Sequence, residues 1–497
     1  MPAMVRRHPT AEETKIMSPH AIVAPAWSRR TALLTLALTM TGCATFSRDG
    51  GFDEVKDTTA KFVGKEARWI KSDSDASEVR KAVLERLAVP VTAADAVQIA
   101  LWNNPGLQAV YEDLGIAEAD LVQTGRLPNP HLGYLRTRNS GSGTGKDEFA
   151  LTLPIMELVT MPLRRRVEAA RFEQVKKEVA LQTVGVAFET QRAWVNAVAA
   201  GQTVRYLEDV KLSAEAGAEL ARRMARAGNV SSLARMREQA FYAEVVAQLS
   251  KARQAALVER ERLTRLMGLY GQDTAYKLPD RLADLPEAHA EMSDIEGRAL
   301  EQRLDIQAAK RETESVARSL GLTKVTRSIN VFDLGPARTR EDGGAWNRGF
   351  EIALEIPLFD WGGARIARAE AQYMQAVKRL SEQAINARSE VRESYGEYRT
   401  SFDTARHYRD EIVPLRRRIA EENLLRYNGM LISVFELLED AREQMASVME
   451  YIEALRAFWL AEADMQSAMI GTPRTVFALP PQRQRPAFVP SPVLAGH

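Results

Sequence analysis

Gly141 to Lys146 reads GSGTGK, a glycine-rich run ending in lysine of the kind that cradles phosphate. A phosphate loop needs four residues between its glycines and a Ser or Thr after the lysine. Here three residues separate Gly141 from Gly145 and Asp147 follows the lysine, so the run does not fit nucleotide binding. The six histidines, His8, His20, His131, His289, His407 and His497, never pair at ligand spacing, and none belongs to an HExxH motif. Met430, Met445, Met449, Met465 and Met469 carry thioethers that bind Cu(I), but methionine on a helix is ordinarily packing filler. One cysteine, Cys43, excludes an internal disulfide framework and a multi-thiolate metal site. No Ser/His/Asp or Cys/His arrangement stands out. The expectation is a conduit and not an enzyme, with no cofactor and no bound metal.

Cys43 stands at an informative place. Arg29 and Arg30 precede the apolar stretch Thr31 to Met40, which runs into Thr41, Gly42 and Cys43. A basic region, a short apolar region and small residues at its end describe a secretory signal, with Met17 a second candidate start. About ten apolar residues are too few to span a bilayer. Met40-Thr41-Gly42-Cys43 resembles the bacterial lipobox, which implies that Cys43 is lipidated and begins the mature chain. Ala44 after it favours sorting to the outer membrane by the same resemblance.

Those residues need a scaffold, and the rest of the sequence describes an unusual one. The 497 residues carry 67 basic and 66 acidic side chains, which removes the electrostatic footprint of a nucleic-acid binder. With 27% charged residues the chain is no bundle of apolar membrane helices. It repeats itself at a period of roughly 200 residues. Asp95, Ala100, Leu101, Gln108 and Ala109 fall opposite Asp294, Ala299, Leu300, Gln307 and Ala308. Phe149 to Leu158 matches Phe350 to Gly362, with Pro154 opposite Pro357, and Gly228 falls near Gly429.

Each unit reads helix, strand, strand, long helix, turn, long helix. From Arg164 to Gly228 there is no proline, and Leu181, Val184, Phe188, Val195 and Val198 recur at the helix period. Phe172, Val175, Val179 and Val186 form a second seam, predicting neighbours on two sides. A helix of roughly 60 residues is about 90 Å long, far beyond a globular core. Gly228 supplies the permissive backbone of a tight reversal, after which Leu249, Ala252, Ala256, Leu263 and Leu266 resume the pattern. Phe149, Leu151 and Leu153 alternate with polar positions, as do Phe350, Ile352, Leu354 and Ile356, the pattern of a transmembrane β-barrel wall. Partner strands are expected around Leu132 to Arg138 and Ile329 to Arg338. Four strands cannot close a barrel, so a barrel requires several chains. A small soluble sheet capping a helical bundle is the competing reading.

The segments DAVQIALWNNPGLQA, ALEQRLDIQAAK and LEIPLFDWGGARIARAEAQ, with the two glycine turns, resemble the outer-membrane efflux factor (TolC-like) family, in its lipoprotein branch. The resemblance covers Thr92 to Gly471. It implies a mostly α fold with a membrane β-barrel: a homotrimer, four strands per chain making a 12-stranded β-barrel, and long helices forming an α-barrel. It further implies the exit duct of a tripartite efflux pump, working with a periplasmic adaptor (membrane fusion protein) and an inner-membrane transporter. The helical tips that dock the adaptor are then Gly228, Asn229, Val230 and Ser231 with Gly429, Met430, Leu431 and Ser433. Glu436, Glu439 and Asp440 are candidates for a pore constriction, where threefold symmetry makes a carboxylate ring that attracts cations. The spacing from Gly429 to Glu436 is one residue longer than the family's pattern, and solvated helix-surface charge is the competing reading of these acids. The domain boundaries are 1–42 signal, 43–91 anchor segment, 92–271 and 291–471 repeats, and 472–497 proline-rich tail. Ala44 to Pro90, mixed and charged, is expected to run from the anchor toward the barrel. Small solutes, drugs or metal cations, are the expected cargo, with a lean to metal cations from the acids beyond the tip. A non-conducting periplasmic coiled-coil lipoprotein is the alternative.

Overall fold

The computed structural model describes residues 45–472, apart from 142, 292, 329 and 330. The signal-like stretch, Cys43 and the chain from Pro473 onward lie outside the described residues.

The order begins α1 (Phe52–Val63), α2 (Asp73–Leu87), α3 (Ala93–Asn103), α4 (Pro105–Thr124), β1 (His131–Arg138) and β2 (Gly145–Pro154). Two long helices follow, α5 (Ile155–Arg226) and α6 (Ser232–Leu266). A 3₁₀ turn at Gly271–Ala275 and an irregular linker lead to α7 (Ile295–Gln302), α8 (Leu304–Val325), β3 (Phe332–Glu341) and β4 (Asn347–Leu354). Then come α9 (Gly363–His407), a π-turn at Tyr408–Ile412, α10 (Val413–Asn428) and α11 (Val434–Ile470). The fold is mostly helical with one small sheet, as the sequence predicts.

That sheet is antiparallel in the order β1-β2-β3-β4, so both expected strand pairs form and join through β2 and β3. The strands are shifted from their sequence bounds. Ile155 to Leu158 belong to α5, because Pro154 has no N–H for the ladder and sits at the helix N-cap instead. β4 stops at Leu354, before Ile356, and β3 starts and ends later than expected. Leu132 lies opposite Leu151, Tyr134 opposite Phe149, and Leu334 opposite both Leu153 and Ile352. Directly paired residues share a face, so these side chains make one apolar face, and all of them are exposed in the single chain. The β2–β3 ladder lapses opposite Gly335 and Pro336, where the proline has no N–H and a Cβ on Gly335 would overlap the Leu151 carbonyl oxygen.

The two seams of α5 find two sets of partners. Val179 and Val186 pack with Leu101, Tyr111 and Leu114 of α3 and α4. Val184 and Phe188 meet Leu304 and Ile470, while Val195 and Val198 join Phe402, Phe458 and Met465. At 72 residues α5 is longer than expected and extends roughly 110 Å. Residues 52–87 differ from the expected running segment: they form two helices docked on the body. Val55 joins the α3/α4 cluster, and Val79 and Val83 pack with Ile99, Leu263 and Met267. Between them the backbone is held by two glutamines. Gln98 Nε2 donates to the Glu66 carbonyl (2.7 Å), and Gln108 accepts from Ile70 N (2.9 Å) and donates to the Arg68 carbonyl (2.9 Å).

Candidate functional site

No helix among the described residues is long and apolar enough to cross a membrane, and the candidate site is distributed over the turns, the helix ends and the sheet. The two turns lie at α5/α6 and α10/α11, and both end on a serine N-cap. Ser231 Oγ accepts from Ala234 N at 3.1 Å and Ser433 Oγ from Glu436 N at 3.2 Å. Helix ends present unsatisfied N–H groups, and serine at this position satisfies one of them.

Their backbones agree one residue away from the register read in the sequence. In the first turn Gly228 has φ of 78°; Gly228 N donates to Ala225 O and Asn229 N to Met224 O, both at 2.9–3.1 Å. In the second, Met430 has φ of 59°; Met430 N donates to Tyr427 O and Leu431 N to Arg426 O, each at 2.9 Å. Gly429 itself has φ of −81°. Gly228 therefore corresponds to Met430, and Gly429 to Ala227. Gly228, Asn229 and Ser231 are exposed and Val230 is half-buried, while Met430 and Leu431 are 93% and 77% exposed. The first tip is small and polar; the second carries two bare apolar side chains.

The three candidate acids have three settings. Glu436 is exposed within the first turn of α11, and its carboxylate lies 3.5 Å from the capping Ser433 hydroxyl. Glu439 is exposed, and Asp440 is half-buried and accepts from Asn423 Nδ2 of α10. Two buried ionic clusters on α11, one beside these acids and one far along the helix at Asp464, have no signal in spacing or type. Glu238 of α6, almost wholly buried, accepts from Arg442 Nη2 of α11 at 2.6 Å, and Arg442 also lies 4.4 Å from the Phe241 ring. Arg192 of α5 reaches Asp464 of α11 (2.6 Å) and Glu189 (2.9 Å), and Glu189 also holds Arg262 of α6 (3.2 Å). These pairs fasten the elements on either side of the linker to each other.

The quoted motif residues do the same at the far helix ends. Asn103 Nδ2 donates to the Met267 and Gly268 carbonyls and Asn104 Nδ2 to the Leu266 carbonyl, tying α3/α4 to the end of α6. At Arg303, which the sequence register sets opposite Asn104, the guanidinium holds the Ala468 carbonyl at 3.0 Å and forms a fork on Asp305 (3.0 and 2.7 Å) and a bond to Glu390 (2.8 Å). Burial works to lower the pKa of Arg303, but Asp305 and Glu390 outweigh it and hold the value raised. Met445 packs on Val210, Ala214 and Val245, and Met465 is buried, so both are packing residues. Lipidation of Cys43 falls outside the described residues.

No protein-family model and no curated protein matches the sequence. Solved structures do match. CusC, described in connection with transmembrane channel formation, is 16% identical with a TM-score of 0.63, covering 77% of this chain and 93% of its own. The Campylobacter jejuni CmeC outer membrane channel is 17% identical, with a TM-score of 0.63 and coverage of 76% and 86%. The outer-membrane channel OprN is 17% identical, with a TM-score of 0.62 and coverage of 87% and 98%. The chain has the fold of the TolC-like outer-membrane efflux channels. In the TolC-like fold the neighbours are channel proteins and not enzymes.

Proposed function

We propose that this chain is one protomer of a trimeric outer-membrane duct that passes small solutes, drugs or metal cations, out of the cell. The observation that carries the reading is the sheet: an exposed apolar face on four strands whose outer members, β1 and β4, each leave an edge unpaired. A bilayer tolerates strands only in a closed barrel. Three copies edge to edge make twelve strands, within the range of known barrels. Aromatic residues support the membrane placement: Trp346 of the β3–β4 turn meets the mid-strand pair Tyr134 and Phe149, and Phe359 and Trp361 stand exposed at the helical end.

The units 92–271 and 291–471 are read as two copies of one repeat, supported by their matching element order and by the equivalent turns at Gly228 and Met430. Signal cleavage before residue 43 and lipidation of Cys43 anchor the chain. The tips dock a periplasmic adaptor linked to an inner-membrane transporter, with Met430 and Leu431 the apolar contact and Gly228 to Ser231 the smaller one. Glu436 and Glu439 are the acids free to line the constriction, since Asp440 is engaged by Asn423. Adaptor contact shifts the tips toward an open state.

Planar-bilayer conductance tests the reading. Purified trimer should give discrete cation-preferring channels, with Glu436→Gln or Glu439→Gln reducing the preference. A coiled-coil lipoprotein without a pore gives none. Growth of a deletion strain across metal salts and antimicrobials, with complementation, then assigns the cargo.

A further inference from the structure

Just past the sheet, exposed apolar side chains give way to arginine in both halves of the chain. After β2 come Leu158 and Val159, then Arg165 and Arg166 further along α5. After β4 come Phe359, which is 99% exposed, and Trp361, then Arg368 in the second turn of α9. The end of α8 brings the two sets together. Arg318 donates to the Arg166 carbonyl at 3.0 Å, and the Arg327 carbonyl accepts from Arg365 at 2.9 Å. Several neighbouring carboxylates are already engaged: Glu157 with Arg164 (3.6 Å), Glu370 with Lys324 (2.9 Å), Glu314 with Arg311 and Arg318, and Asp360 with Arg365 (4.0 Å). Arg165, Arg166, Arg327 and Arg368 are exposed and, among the described residues, form no ion pair.

Four exposed guanidinium groups with no carboxylate partner among the described residues are available to an anion that meets them. Guanidinium forks match phosphate oxygens, and tryptophan favours the ester level of a bilayer. From Val159 to Arg165 the helix rises about 9 Å, comparable with a headgroup layer of roughly 5–8 Å.

We propose that Arg165, Arg166, Arg327 and Arg368 bind the phosphates of anionic phospholipid in the leaflet next to the helices. This rests on the sheet lying in a bilayer. The full-length protein is reconstituted into phosphatidylethanolamine vesicles holding about 20% phosphatidylglycerol as the anionic lipid, floated, extracted in mild detergent, and its retained lipid is measured by mass spectrometry. Phosphatidylglycerol should be enriched several-fold over the vesicle composition, less so in high salt. Changing all four arginines to glutamine should return the ratio to that of the vesicle, and changing all four to lysine, which preserves charge, should keep the enrichment and serves as the folding control. No enrichment in the floated wild-type protein, or equal enrichment in the glutamine variant, overturns the proposal. So does unchanged lipid with altered ion selectivity, which assigns the arginines to the duct. Failure of the wild type to float with these vesicles, or with vesicles of phosphatidylethanolamine alone, instead overturns the membrane reading itself.

Discussion

Gly228 and Met430 hold the same station in their turns, three residues before a serine N-cap and in left-handed backbone. Glycine takes that conformation freely, whereas a side chain there costs about 1–2 kcal/mol. The second tip keeps methionine at that cost and leaves it almost fully exposed.

Substitutions at the tips should therefore follow φ and not the identity of the glycine. Gly228→Ala should destabilise its turn by about 1 kcal/mol, read as faster amide exchange at Asn229. Gly429→Ala should be near neutral, because its φ is ordinary and a Cβ there meets atoms only at 3.5 Å or beyond. Met430→Gly should tighten the turn by up to about 1 kcal/mol while reducing export. Gly429→Pro loses the bond from Gly429 N to Leu425 O (3.0 Å) and should weaken export without preventing membrane assembly. If Gly429→Ala proves more damaging than Gly228→Ala, the assignment of equivalent positions is wrong.

Much of this architecture is legible because it rests on periodicity. The two valine-rich seams of α5 are visible as spacings, and each is buried against a different neighbour, one in the cluster around Leu101 and the other in the cluster around Phe458. Strand alternation likewise marks the apolar face of the sheet. What escapes is set by pairing across long separations. Glu238 and Arg442 are ordinary helix charges until folding brings them together, and the switch from Asn104 to Arg303 has meaning only beside Asp305 and Glu390. The left-handed Met430 escapes for another reason: composition marks positive φ by glycine, and the nearest glycine is one residue off. Residues 52–87 look like a charged connection because their burial is sparse, with Val55, Val79 and Val83 doing most of it.

The docking of α1 should depend on pH at both extremes. Burial raises the pKa of Glu54, but Lys177 (2.7 Å) and Lys176 (3.0 Å) outweigh it, and the folded value lies below the ordinary 4.5. A depressed carboxylate stabilises the folded state above its unfolded pKa, and that contribution is lost as pH falls through the folded value. Lys176 is the mirror case. Burial lowers its pKa, Glu173 and Glu54 raise it above 10.5 overall, and its contribution is present below 10.5 and lost as pH rises through the folded value. Exchange protection of α1 amides should hold between these limits and fall outside them. Glu54→Gln should cost up to about 1 kcal/mol at neutral pH and flatten the acid arm; an unchanged acid arm would remove Glu54 as its source.

Gly335 should tolerate no side chain. A Cβ there would strike the Leu151 carbonyl oxygen and the neighbouring backbone at Thr152, where neither strand has room to yield. Gly335→Val should break the β2–β3 junction and prevent the folded protein from inserting, while the helical circular dichroism stays near that of wild type. Gly349→Ala, where a Cβ meets nothing within 4 Å, should insert normally and serves as the paired control. Normal insertion of Gly335→Val would contradict the close approach of the two strands.

The Glu238–Arg442 pair sets how tightly α6 holds α11 near the tips. Its carboxylate is 5% exposed, so removing the guanidinium leaves a buried charge unmatched, a loss of about 3–5 kcal/mol. Arg442→Met should therefore be much more damaging than Arg253→Met, whose pair with Glu208 is exposed and contributes at most about 1 kcal/mol. Replacing both members, with Glu238→Leu and Arg442→Met, removes the unmatched charge and should recover most of the stability. In a planar bilayer the single variant should show more frequent spontaneous opening than wild type, and the double variant less than the single one. If Arg442→Met melts and gates like wild type, the pair does not hold the tips.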